Sequence, residues 1–182
     1  MLYSPAMAEP TLRLFFALWP DPATRAVIGA VAQDVAAEAG GRAVNASNIH
    51  LTLAFLGAQP ATSLPMLRAL AAAVELVPFQ LALDDIGCFR KSGVAWLGAS
   101  MTPSGLASLR DRLAHALGDS GIALDTRPFA PHLTLARHIT VAVGRRLAQP
   151  ILWAAASFAL VSSKTLPEGA RYRVLEVWRA RA

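Results

Sequence analysis

The stretch NIHLTLAFLG, residues 48–57, is echoed by FAPHLTLAR, residues 129–137. The histidines of the two copies, His50 and His132, lie 82 positions apart, and the chain has only four histidines. On an extended strand, residues i and i+2 point to the same side. His50 and Thr52 therefore share a face, and so do His132 and Thr134. Leu51, Leu53, Leu133 and Leu135 point the other way, into packed interiors. By the same alternation, Ala54 is expected beside Thr52, and Phe55 beside the leucines. The repeat suggests an internal duplication. It predicts two similar lobes, each offering one strand to a shared cleft.

The flanking sequence supports that reading. LRLFFAL (12–18) is dense in bulky apolar groups and predicts a strand. Pro20, Asp21 and Pro22 turn the chain into a predicted helix over 22–39, with Val27, Ile28, Val31 and Val35 at helical spacing and Gly40-Gly41 as its stop. A second helix is predicted over 62–77, ending before Pro78. FQLALDDIGCF (79–89) and VAWLGA (94–99) read as strands. SGLASLRDRLAHALG (104–118) is the clearest amphipathic helix, with Leu106, Leu109, Leu113, Ala116 and Leu117 on one side. One further apolar segment is expected at 152–163, and a last strand at 171–178. A strand–helix–strand order thus occurs twice, each time ending in His-Leu-Thr-Leu.

Length and composition bound the answer. With 182 residues and 54% apolar side chains, much of them alanine, the chain is long enough for one sizeable core. No apolar run reaches the roughly 18–20 residues of a membrane span. LRLFFALWP is short, and Asp21 and Pro22 follow it where a leader would carry a cleavage site. The expected location is therefore the cytoplasm, with no membrane partner and a monomeric chain. The single cysteine, Cys88, fits, and reads as a small core residue. The formal charge of +5 is spread along the chain, which speaks against bulk coating of nucleic acid and suits a local phosphate site.

Two imidazoles and two hydroxyls converging in a cleft suit displacement at a phosphodiester. One ring takes a proton from the attacking group, the other gives one to the leaving oxygen, and the hydroxyls hold the non-bridging oxygens. This scheme calls for no metal and no cofactor. The motifs have neither a His-x-x-x-His pair, nor a second cysteine, nor an adjacent carboxylate to make a zinc set. The chain also lacks G-x-S-x-G, a P-loop and G-x-G-x-x-G.

Together these segments resemble the 2H (two-histidine) phosphoesterase superfamily, in its branch of RNA 2',3'-cyclic phosphodiesterases, also called 2'-5' RNA ligases. RLFFALWP (13–20) resembles the opening strand, NIHLTLAFLG and FAPHLTLAR the paired H-x-T-x motifs, and SSKTLPEGARYRVLEVW (162–178) the closing segment. The resemblance implies an α+β fold: two pseudo-symmetric lobes with antiparallel sheets around a central cleft, and helices outside. It implies hydrolysis of 2',3'-cyclic phosphate ends of RNA to 2'-phosphates, and reversible 2'-5' joining, with tRNA halves among the partners. Carried over by position, His50 is the proton donor and His132 the acceptor, with Thr52 and Thr134 as their companions. Arg137 matches an arginine after the second motif. It lies three positions past Thr134, so an unbroken strand turns it away from the cleft, and a bend at the strand end would return it. Phe15 is expected either to wall the groove or to be a core aromatic. Arg171 and Tyr172 would line the RNA-end site by resemblance, with a structural use of Tyr172 the alternative. His115 and His138 are not placed in the site. GRAVNASN (41–48) lacks the Trp or Pro frequent there in relatives. Residues 1–10 are expected to be a mobile extension ahead of a single catalytic domain, 11–182. Two alternatives stay open: the same chemistry on a small cyclic nucleotide or a 2'-5' oligonucleotide, and a non-catalytic module that binds RNA ends.

Overall fold

One antiparallel sheet runs through the whole protein. In the computed structural model, which describes residues 9–125, 127–167 and 169–181, nine strands alternate with three helices. They are β1 (Thr11–Leu18), α1 (Pro22–Ala39), β2 (Arg42–Ala43), β3 (Leu51–Pro60), α2 (Leu64–Ala73), β4 (Phe79–Phe89), β5 (Val94–Gly98), α3 (Ser104–Asp119), β6 (His132–Arg137), β7 (Arg145–Ala155), β8 (Ser157–Leu166) and β9 (Gly169–Arg179). The strand order is β7-β4-β5-β6-β3-β1-β8-β9, with β2 paired to the edge of β6. Read outward from the centre, β6 answers β3, β5 answers β1, β4 answers β8 and β7 answers β9. The duplication expected from the sequence is thus a two-fold pattern in the sheet.

The central strands β3 and β6 are registered through a single pair. Leu51 of β3 lies opposite Leu133 of β6, and both are sealed from water, at 1% and 0% exposure. At the far end the halves are joined covalently. Only Ala156 separates β7 from β8, although six strand steps divide them in the sheet. Laid flat, those steps would cover about 29 Å at ~4.8 Å each, whereas the two peptide units across Ala156 reach at most about 7 Å. The sheet must therefore fold back into a trough. This differs from the single apolar segment expected over 152–163. The run LWAAASFAL has no glycine, proline, asparagine or aspartate, so nothing strong in its composition marks where one strand gives way to the next.

Local signals explain the helices. The Asp21 carboxylate accepts hydrogen bonds from the backbone N–H groups of Ala23 and Thr24, both 3.0 Å, and caps α1. Pro22 occupies its first turn and Gly40 closes it at φ 65°, a conformation that suits glycine. Along α3, Leu106, Leu109, Leu113 and Leu117 are buried at helical spacing. The second helix is shorter than expected: a 3-10 turn holds Ala61–Ser63, and α2 ends at Ala73.

The helices cross the midline. The backbone of α1 approaches β6 and β7 of the opposite half, and α3 approaches β3. The buried side chains of both halves accordingly form one core, from Leu14 and Ile28 through Leu51 and Leu133 to Leu113 and Trp153. Cys88 is half-buried against it. The expected extension 1–10 falls mostly outside the described residues. Its last two members are tied down: Thr62 donates to the Glu9 carboxylate, and the Ala61 N–H to the Pro10 carbonyl at 2.9 Å. No helix is long and apolar enough to cross a membrane among the described residues.

Candidate active site

The pairing of Leu51 with Leu133 fixes the arrangement of the polar groups. Continued by one residue each way, this antiparallel register sets His50 across from Thr134 and Thr52 across from His132. All four face away from the leucine layer, and all four are half-buried. Each histidine is held in the same way. The His50 Nδ1 lies 2.6 Å from the carbonyl oxygen of Asn48, and the His132 Nδ1 lies 2.7 Å from that of Ala130. A carbonyl can only accept, so Nδ1 carries the proton in both rings. Nε2 is then left to exchange a proton with a ligand. The Asn48 side chain donates to the Ala170 carbonyl at 2.9 Å, which ties the first motif to the start of β9.

The cleft walls differ around the two rings. His50 is enclosed by aromatic groups. Trp19 stacks on it at 5.1 Å and 11°, Phe15 lies at 5.0 Å, and Tyr172 meets it edge-on at 5.0 Å and 82°. Phe15, only 2% exposed, forms with Ala17, Ala159 and Val161 a small apolar floor separate from the main core. Both expectations for Phe15 thus meet in one position: it is buried, and it is buried beneath the cleft. His132 has one such neighbour, Phe89, edge-on at 5.0 Å and 82°. Phe89 in turn packs on Trp96 at 5.8 Å. The Trp96 ring lies over Gly87, where a Cβ would overlap it, and its Nε1 is buried without a partner.

These walls set the charge of His50. Burial, and then the positive charges of Arg137 and His132, outweigh the Asn48 hydrogen bond and lower its pKa from 6.5 to about 4. At neutral pH the free site therefore holds a neutral His50.

Arg137 reaches the site because the strand is irregular. Opposite β6, the register slips between Ala95 and Trp96, leaving Leu135 as an extra residue. Leu135 and Ala136 are both buried, so the alternation is reset and Arg137 returns to the cleft side. The same slip occurs in the first motif, where Leu53 is the extra residue between the partners of Phe16 and Ala17. Leu53 and Ala54 both enter the core, and Phe55 emerges 62% exposed with its ring 5.9 Å from that of Phe15. This corrects the simple alternation, which placed Ala54 beside Thr52 and Phe55 inside. Phe55 and Arg137 are consequently equivalent positions of the two copies, one aromatic and one cationic.

A recess of about 180 Å³ opens beside the histidines. His50, Thr134, Arg137 and Tyr172 line it, together with Arg42, Asn45, Asn48 and His138. Thr52, His132 and Phe15 belong to the cleft but not to this recess. Arg171 is exposed on β9 opposite Lys164 and does not line it. Arg42, Trp19 and Phe89 were not singled out from the sequence. Trp19 had a signal, since it lies within the quoted RLFFALWP; Arg42 had none, because its strand is two residues long. His138, expected outside the site, lines the recess with a left-handed backbone at φ 57°. His115 stays outside, exposed on α3 beside Asp119. Among the described residues, no three His, Cys, Asp or Glu side chains gather as a metal-ligand set. A larger cavity of about 590 Å³ lies between the end of α2 and β9, where Leu76, Pro78 and Trp178 meet Arg179. It holds no pair of proton-transfer groups, so the histidine cleft is the candidate site.

A two-fold sheet with paired His-x-Thr strands at its centre defines a phosphoesterase of the two-histidine class. A profile of the 2'-5' RNA ligase superfamily matches residues 19–169, and the chain belongs to that family. The RNA 2',3'-cyclic phosphodiesterase of Escherichia coli (strain K12) is 38% identical over 94% of this chain and 98% of its own length. That of Thermus thermophilus is 31% identical, over 93% of this chain and 91% of its own. The crystal structure of E. coli LigT complexed with 3'-AMP superposes with a TM-score of 0.83 at 34% identity. It covers 95% of this chain and all of that one.

Proposed function

We propose that the protein is an RNA 2',3'-cyclic phosphodiesterase, which opens the cyclic phosphate at an RNA end to a 2'-phosphate. The observation that carries this reading is the matched pair of imidazoles. Each is locked by its own backbone with Nε2 free, and each faces the other motif's threonine across Leu51 and Leu133.

His132 Nε2 takes a proton from water as the water oxygen attacks phosphorus. The bond from phosphorus to the 3' oxygen breaks, and His50 Nε2 gives its proton to that oxygen. Thr52 and Thr134 donate hydrogen bonds to the non-bridging oxygens, and Arg137 supplies positive charge beside them. As donor, His50 must first be charged, and the free site disfavours that state. The substrate's negative charge opposes the repulsion from Arg137 and His132, so the proton is taken up as the phosphate settles between the rings. The aromatic enclosure then makes the charged ring a willing donor.

The test is turnover of an oligonucleotide ending in a 2',3'-cyclic phosphate, with EDTA present. Formation of a 2'-phosphate, lost in His50→Ala and in His132→Ala, is expected. Tight binding without product would instead identify a module that holds RNA ends.

A further inference from the structure

We propose that Arg42, facing Arg137 across the β2–β6 pair, forms an anion subsite beside the histidine site, which takes the phosphodiester one nucleotide inside the reactive end. A mononucleotide would leave that subsite empty. This inference rests on the RNA-end reading given above.

Arg42 stands directly opposite Arg137 in the β2–β6 pair. Like charges facing each other across antiparallel strands repel, and such a pair calls for an anion between or above it. Among the described residues, neither Arg42 nor Arg137 has a carboxylate within 4.0 Å. Both residues line the recess that also holds His50 and Thr134. The bulge at Leu135 is what turns Arg137 into it, and the left-handed turn at His138 follows at once.

Arg42 and Arg137 rise from paired strands, with Cα atoms about 4.5–5.5 Å apart, so each can hold one of two neighbouring phosphates. Arg137 acts on the inner position, since its charge shifts the titration of His50; Arg42 faces the outer one. Guanidinium groups bind phosphate oxygens through paired N–H donors, which favours arginine at such a place.

Three substrates test the subsite: a nucleoside 2',3'-cyclic phosphate, a dinucleotide ending in the same group, and that dinucleotide with an uncharged methylphosphonate as its internal linkage. With the unaltered protein, kcat/KM for the charged dinucleotide should exceed that for the methylphosphonate by about tenfold or more, as charge-assisted hydrogen bonds imply. In Arg42→Ala this ratio should collapse toward one, and in Arg42→Lys part of it should survive. An unchanged ratio in Arg42→Ala, or an equal loss on all three substrates, overturns the subsite and leaves the phosphodiesterase reading standing. If the unaltered protein cleaves none of the three, that reading fails, and binding decides the subsite. A dinucleotide ending in a 2'-phosphate should then bind Arg42→Ala more weakly and with a shallower salt dependence; equal affinity and slope overturn it.

Discussion

Leu51 and Leu133 face each other where β3 and β6 pair, directly between His50 and Thr52 on one strand and His132 and Thr134 on the other. The contact aligns the two motifs as well as filling space. Truncation of either leucine to alanine should destabilise the protein by about 2–5 kcal/mol, the range for a fully buried leucine, as read from urea unfolding. Leu133→Ala should also lower kcat by a larger factor than Leu135→Ala, which opens a cavity within one half only. Equal effects of the two substitutions would mean that the central pair has no aligning role.

The division of labour between the rings can be read from the leaving group. With a ribose oxygen departing, His50→Ala should cost roughly 10²- to 10⁴-fold in kcat, as for loss of a general acid. A diester that releases nitrophenolate needs no proton at that oxygen. On it, the His50→Ala defect should shrink to less than about tenfold, while the His132→Ala defect remains. If His132→Ala is the variant rescued by the better leaving group, the roles are reversed.

The surroundings of His50 predict two pH effects. Its pKa in the folded protein, about 4, lies below its ordinary value of 6.5. The unfolded chain therefore binds more protons between those values. Stability from this group is complete above pH 6.5 and is lost as pH falls toward 4. The slope of unfolding free energy against pH in that window should flatten in His50→Asn. The low-pH limb of kcat/KM should fall near pH 4, whichever ring is the donor, because the profile reports the titrating pair rather than its roles. Arg137→Gln removes a charge that lowers the His50 pKa, so this limb should move to higher pH. A limb unmoved in that variant would show that Arg137 does not sense the ring.

Gly87 gives Trp96 its place on the sheet, and through Phe89 this reaches His132. A Gly87→Ala methyl group would overlap the indole and force it to tilt. The expected cost is about 1–3 kcal/mol of stability, as for overpacking, with kcat falling more than KM rises. Trp96→Phe in the Gly87→Ala background should recover part of the kcat, since the smaller ring makes room.

Much of this is legible in the sequence because it rests on short-range patterns. His50, Thr52, His132 and Thr134 follow from a period of two over three residues. The helix α1 follows from Asp21, Pro22 and Gly40, and α3 from four leucines at helical spacing. The slips at Leu53 and Leu135 are hidden, because a bulge is set by a partner strand and Leu-Ala reads the same with or without one. Unbroken alternation therefore puts Phe55 inside and turns Arg137 away unless the strand end bends. Arg42 is invisible because its strand has only two residues, and its importance comes from what stands opposite. The crossing of α1 and α3 between the halves is a tertiary fact with no local mark.

The one-residue link at Ala156 has a mechanical consequence. Jaws that open need a hinge, and a hinge needs slack. Here the two jaws are pinned at the palate by Leu51 and Leu133, tied again at Ala156, and strapped from behind by helices rooted in the opposite half. These ties restrain the gape between the two imidazoles. For the proposed RNA-end substrate, that restraint predicts little change in the spacing of the two rings on binding.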